Sequence, residues 1–311
     1  MSGVANVFLI GAAKAGTTAL SEMLGQHPNI ATMAIKEPGH FCTDIDPANF
    51  SAQYNRLLQW DESSYFSKQQ LQDRHIGFVQ QRGNYHRLVS EALKAKPQAT
   101  QVLDASTAYL YSETAAKELA HYNSKAKVIV LLRDPVDRAF SHFTMALKYG
   151  MEQASAMEAF EREAALERAQ WGRDECYLEL GKYAKQLAPW MDRFSSKHLL
   201  ILFHDDLKKT PQKVMQRITE FLDLPTFAPS EAKAANVGSV PKYPKVNAMG
   251  MRVLAPIREK LPKELVAGLK KVLQQKAPDL DPEVEHWLKK YYSAHTDQLE
   301  SLTNLNLTHW K

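Results

Sequence analysis

The stretch Phe8–Leu20, FLIGAAKAGTTAL, joins a short apolar run to a helical pattern through a loop that holds two glycines and one lysine. Few architectures accommodate that order. A strand that ends in a glycine turn and feeds a helix leaves the N–H groups of the first helical turn unpaired, and the positive end of the helix dipole faces whatever sits above them. That is an anion site, to which Thr17 and Thr18 add hydroxyl donors. Gly11 and Gly16 keep the spacing of the P-loop pattern G-x-x-x-x-G-K-[ST], but Lys14 lies between the glycines instead of after the second. The lysine can therefore lean over a bound group from within the loop.

The rest of the chain repeats the alternation. Apolar or β-branched runs at Val7–Ile10, Gln101–Asp104, Lys127–Leu132 and His198–Phe203 are separated by helical segments, as buried parallel strands with crossover helices are. The expected fold is α/β: a single P-loop-like domain over residues 1–311, with a central parallel sheet flanked by helices. Helices are expected over Thr17–Gln26, Met157–Ala169, Pro211–Leu222 and Glu283–Leu302, with a long loop over 226–248. The basic residues from Arg258 to Lys276 alternate with Leu and Val at helical period and read as a solvated surface helix.

A second anion site follows from KVIVLLRDPVDRAFSHF, residues 127–143. Arg133 ends a buried strand, Asp134 and Pro135 make the turn, and a helix then carries Arg138, Ser141 and His142. Parallel strands put their carboxyl ends on one edge, where open α/β sheets bind ligands, so Arg133 and Ser141 can converge on an anion there. Arg138 is expected to pair with Asp134 or Asp137 at the helix start.

Composition limits the ligand. A net charge of +4 from 39 basic and 35 acidic residues is too weak and dispersed to suggest nucleic acid, and suits a small anion. Two distant cysteines, Cys42 and Cys176, suggest neither a disulfide framework nor a zinc site. With no basic leader before an apolar core, and no apolar run near the roughly 20 residues of a membrane helix, the expectation is a soluble, cytoplasmic protein.

Taken together, the two stretches resemble the donor-binding motifs of sulfotransferases that use 3′-phosphoadenosine 5′-phosphosulfate. In that family a P-[KR]-x-G-[ST]-[ST] loop holds the phosphosulfate and an R-[DN]-P-x-[DE]-R-x-x-S segment holds the 3′-phosphate. Lys14, Gly16, Thr17 and Thr18 match the first, with Ala13 in place of proline; Arg133, Asp134, Pro135, Asp137, Arg138 and Ser141 match the second throughout. The likeness is nearest to the bacterial and glycan-modifying branch. KEPGHF at 36–41 resembles its K-E-P-x-F-F element, with Gly39 as an extra residue; DASTAYLY at 104–111 resembles E-K-[ST]-P-x-Y; GKYAKQLAPW at 181–190 matches G-x-Y-x-x-x-L-x-x-W. His204 stands where a tyrosine is common, and NVGSVPKYP at 236–244 sits where that branch folds a loop over the donor.

The resemblance implies sulfo transfer from this donor to a hydroxyl, or less readily an amine, of a glycan or small metabolite, leaving adenosine 3′,5′-bisphosphate. It implies donor contacts from Lys14, Ala15, Gly16, Thr17, Thr18, Arg133, Ser141, Gly238, Ser239, Lys242 and Tyr243. Lys14 would stabilise the leaving phosphate, with no metal required. Glu37 would take the acceptor's proton, working best with a pKa raised by partial burial, and His40 is the second candidate. Lys36, Asp104 and Tyr183 would meet the acceptor. Residues 42–100, rich in aromatics, would form its side of the site. Two other readings fit a strand, glycine loop and helix: a nucleotide kinase or triphosphatase with a variant P-loop, and a nucleotide-binding module without catalysis. No strand supplies the Walker B acid that the first of these needs.

Overall fold

The computed structural model describes residues 3–230 and 278–311, with the backbone of two short strands at Ser239–Pro241 and Gln274–Lys276. Its centre is a parallel sheet of β1 (Val7–Leu9), β2 (Ile30–Thr32), β5 (Gln101–Asp104), β6 (Lys127–Leu132) and β7 (Leu199–Phe203), in the order β2-β5-β1-β6-β7. β1 lies in the middle, with Val7 opposite Leu103 on one side and Lys127 on the other, and all three of its residues are buried. β6 is the longest of the five strands and is buried from Val128 to Leu132, as a continuous apolar run inside a parallel sheet is. A separate pair of short parallel strands, β3 (Ile35–Glu37) and β4 (Arg74–Ile76), sits beside the sheet. The carboxyl ends of β1, β5, β6 and β7 therefore share one edge, and β3 brings Glu37 to it.

The expected helices appear with two differences. The helix Ala156–Ala164 stops five residues short of Ala169. Beyond it Arg168 binds Glu113 (2.5 Å) and stacks on Tyr111 (4.8 Å), and the Ala169 carbonyl accepts from the Tyr111 hydroxyl, so tertiary contacts pull the chain off the helical path. The expected loop at 226–248 contains β8 (Ser239–Pro241), which pairs antiparallel with β9 (Gln274–Lys276), the end of the stretch expected to be a surface helix. Cross-strand pairing overrides helical period there. In residues 42–100, Phe50, Tyr65, Phe66, Phe78 and Tyr85 are buried in the core, so packing is their role. Both cysteines are free and buried. Among the described residues no helix is long and apolar enough to cross a membrane.

The G-x-Y-x-x-x-L-x-x-W pattern is explained by packing. Tyr183, Leu187 and Trp190 fall on the buried face of the helix Tyr183–Met191. A Cβ on Gly181 would lie 2.5 Å from the hydroxyl of Tyr292, which donates to the Leu178 carbonyl (2.9 Å) and seats the Pro282–Thr303 helix. Gly181→Ala is expected to lower unfolding free energy by about 1–3 kcal/mol, read as a lower urea midpoint; an unchanged midpoint would contradict this packing.

Candidate active site

After β1 the chain stays paired to β6 as far as Ala12, whose N–H donates to the Leu131 carbonyl (2.7 Å), and then turns. Lys14 and Gly16 take left-handed backbone (φ 70° and 97°), and Gly16 caps the helix Thr17–Gly25 without any side-chain cap. The first-turn N–H groups are thus left to a ligand. Gly16 is required twice over, since a Cβ would also meet the His204 ring at 3.1 Å.

The Lys14 ammonium is mostly buried and rests 3.3 Å from the Met145 sulfur, a weak acceptor. Burial, with Arg133, Arg138 and Lys148 nearby, lowers its pKa from 10.5 to about 8. Among the described residues no carboxylate pairs with it. A lysine so placed suits an anionic partner.

Arg133 closes the other end. Its Nη1 donates to the Lys14 carbonyl (3.3 Å), Nη2 lies 3.4 Å from Asp137, and Nε is buried with no partner among the described residues. The helix that follows starts as the sequence dictates, with Asp134 accepting from the N–H of Val136 (2.8 Å) and Pro135 in the first turn. Along this helix, Asp137, Ser141 and Met145 are spaced four apart and share one stripe. Asp137 reaches Arg133 and Met145 reaches Lys14, so Ser141, midway, faces the same loop. The expected Arg138 pairing is not found. Arg138 lies on the inward face with Ala139, Phe143 and Ala146, fully buried, and donates to the Tyr177 carbonyl; Arg133 is the arginine that meets Asp137.

Two expected acceptor contacts turn out to be internal. Tyr183 is buried and donates to the Arg133 carbonyl (2.9 Å), supporting the arginine from behind. Asp104 is wholly buried, accepting from Tyr85 (2.9 Å), Tyr109 (2.7 Å) and Ser106 (2.6 Å); burial raises its pKa to about 6 against those bonds. An acceptor cannot reach either group.

Glu37 is 6% exposed and held on both oxygens. Lys36 donates to Oε1 (2.8 Å), and the N–H (3.0 Å) and hydroxyl (2.6 Å) of Thr107 donate to Oε2. Burial pushes its pKa up, but the Lys36 charge and these bonds prevail and hold it below the ordinary carboxylate value. The raised pKa expected of a general base is absent. Also against Oε1 is His75 of β4, with Nε2 at 3.4 Å. Its ring is within electrostatic range of Lys14, which links the carboxylate to the loop.

His40 is not brought to this group. Gly39 (φ 61°) donates to the Ser106 hydroxyl (3.0 Å) and turns the chain, so His40 Nδ1 binds the Val79 carbonyl (2.7 Å) and its ring stacks on Tyr85 at 4.3 Å. Of the loop expected over the donor, Gly238, Lys242 and Tyr243 lie outside the described residues; the backbone of Ser239, in β8, lies against the Pro135–Tyr149 helix. His75, Thr107 and Met145 were not visible in the sequence as site residues. Thr107 lies within the DASTAYLY stretch and Met145 four residues after Ser141, whereas His75 left no signal.

Comparison with known proteins gives the family and the fold. The model of the Sulfotransferase domain family matches residues 5–237. Relatives include a mouse heparan sulfate glucosamine 3-O-sulfotransferase 3B1, 27% identical over 70% of this chain and 45% of its own length. A bifunctional heparan sulfate N-deacetylase/N-sulfotransferase 1 of Caenorhabditis briggsae is 25% identical over 71% of this chain and 23% of its own. The chain thus spans less than half the length of these curated relatives. In overall fold it is similar to a sulfotransferase from Alicyclobacillus acidocaldarius, with a TM-score of 0.72, 21% identity, and coverage of 99% of this chain and 98% of the other. On the family match over three quarters of its length, the chain belongs to the sulfotransferase-domain family.

Proposed function

We propose that this chain transfers a sulfo group from 3′-phosphoadenosine 5′-phosphosulfate to a hydroxyl, or less readily an amine, of a glycan. The observation that carries the proposal is Lys14, a buried ammonium whose neighbours are further cations and a thioether. Such a site fits a ligand with concentrated negative charge. Arg133, with a buried Nε to spare, fits a second anionic group beyond the first, as a nucleotide with both 3′ and 5′ anions offers. A kinase or triphosphatase has no evident use for that second site.

Sulfo transfer asks for alignment and charge stabilisation more than covalent help from the protein. The backbone N–H groups of Gly16, Thr17 and Thr18 orient the 5′ end, and the Lys14 ammonium sits beside the oxygen that gains charge as the sulfur–oxygen bond breaks. Glu37 lies at the acceptor end. The heparan sulfate relatives favour a glycan as acceptor. The cytoplasm is part of the same proposal as the place of work.

Radiolabelled sulfate from the donor, offered with N-desulfated heparin, desulfated chondroitin and 4-nitrophenol, tests the proposal. Label on a glycan supports it; label on the phenol alone would move the acceptor to small molecules, and no label on any would count against transfer. Arg133→Ala is expected to weaken adenosine 3′,5′-bisphosphate at least tenfold more than adenosine 5′-phosphosulfate. Equal losses would mean that Arg133 does not read the 3′-phosphate.

A further inference from the structure

We propose that His75 is a further catalytic residue, the group that takes the proton from the attacking acceptor atom, and that Glu37 orients it. This assignment rests on sulfo transfer being the reaction. Glu37 is poorly placed to act directly, because Thr107 occupies one oxygen twice and Lys36 the other, behind a surface that leaves it 6% exposed. His75 has the opposite character. Its side chain is 56% exposed and its Nε2 is 3.4 Å from Glu37 Oε1. A carboxylate facing Nε2 favours the tautomer with the proton there, which leaves Nδ1 as an acceptor open to a ligand.

The strand that carries His75 is firmly held. The Arg74 N–H donates to the Ala34 carbonyl (2.8 Å) and the Gly77 N–H to the Glu37 carbonyl (2.9 Å), fixing β4 against β3. The Arg74 guanidinium is spent on the carbonyls of Leu58, Gln59 and Ile76 and stacks over Trp60. His75 is thus fixed beside the carboxylate by a backbone that cannot easily shift, as a catalytic group requires.

In the step so assigned, the acceptor's O–H or N–H proton passes to His75 Nδ1 as the acceptor atom bonds to sulfur. The bond from sulfur to the phosphate oxygen breaks, and its electron pair stays on that oxygen beside Lys14. Glu37 balances the imidazolium. The groups around the ring are Glu37 and Lys36 on β3, Lys14 in the loop and Glu22 on the Thr17–Gly25 helix. Burial lowers the imidazole pKa, Glu37 raises it, and Lys36 and Lys14 lower it, with a net result below 6.5. His75 is then neutral at neutral pH, the state a base needs, and turnover rises with pH as it loses its proton.

The test uses full-length His75→Gln, His75→Gly, Glu37→Gln and Lys14→Met with the phosphosulfate donor and N-desulfated heparin. His75→Gln is expected to lower kcat about a hundredfold with donor KM unchanged and the acid limb of the pH profile lost. Added imidazole should restore His75→Gly at least tenfold. In proton NMR the His75 ring should titrate at lower pH in Glu37→Gln, because the charge that raises it is gone. Normal turnover with the acid limb intact in His75→Gln, or a titration indifferent to Glu37→Gln, overturns the assignment. If Lys14→Met loses transfer in that same assay, the wider proposal survives this failure; if the unsubstituted protein transfers nothing, both fall.

Discussion

Lys14→Met is expected to cut sulfo transfer by about 10²–10³-fold and, at the same time, to make the ligand-free protein more stable at pH 7. The two effects share one cause. The folded chain holds this lysine at a pKa of about 8, below its unfolded value of 10.5, so the charged form is disfavoured by folding. The sign follows from linkage: below about pH 8 the folded state carries the cost in full, and the cost fades as pH rises from there to the unfolded value. Its size at neutral pH is roughly 3 kcal/mol, of which methionine, with similar length and no charge, should recover about 1–2 kcal/mol after relaxation. A bound anion recovers it too. Donor affinity should therefore fall as pH rises through about 8, and that slope should vanish in Lys14→Met. Thermal unfolding and calorimetry at pH 7 and 9 read both halves. A variant less stable than its parent, or a donor affinity indifferent to pH, would mean that the loop is not built to hold an anion.

Glu37→Gln is expected to lower turnover by about a hundredfold or more while donor affinity holds. Glutamine keeps an oxygen for the two Thr107 donors, so the site should keep its shape, but it cannot balance the charge on Lys36 or His75. The carboxyl's pKa is lowered on folding, so its stabilising contribution is present above the ordinary carboxylate value and is lost only as pH falls through the folded one. The charged form persists through neutral pH. Steady-state rates at saturating donor, with donor affinity measured separately, check this. Near-normal turnover would remove the carboxylate from the chemistry.

How much of this was legible in the sequence depended on the range of the interaction. β6 and β5 could be read to the residue, because a strand buried on both faces is written as a continuous apolar run. The Lys14 loop and the turn at Asp134 and Pro135 were legible because each is a local device, made by residues close in sequence; that Asp134 caps the helix was not read. β2, β3 and β4 were not, since three residues carry no period and, unlike β1, none of them leads into the Gly11–Gly16 loop that marks a strand end. With β3 and β4 went the proximity of Glu37 to His75 and Thr107, which are 38 and 70 positions away and meet it only through tertiary pairing. Asp104 shows the opposite error. Its place in a motif suggested a substrate contact, whereas Tyr85 and Tyr109 from either side had closed over it.

The central claim is that the loop around Lys14 and the arginine at the end of β6 hold the two anionic ends of one nucleotide. Isothermal titration with adenosine 3′,5′-bisphosphate in EDTA tests it most directly, against ATP with magnesium under the same conditions. Saturable one-to-one binding of the bisphosphate is expected, at least tenfold tighter than ATP, unchanged by adding magnesium, and weakened in both Lys14→Met and Arg133→Ala. Tighter binding of magnesium–ATP, with the bisphosphate weak or indifferent to Arg133, would contradict it.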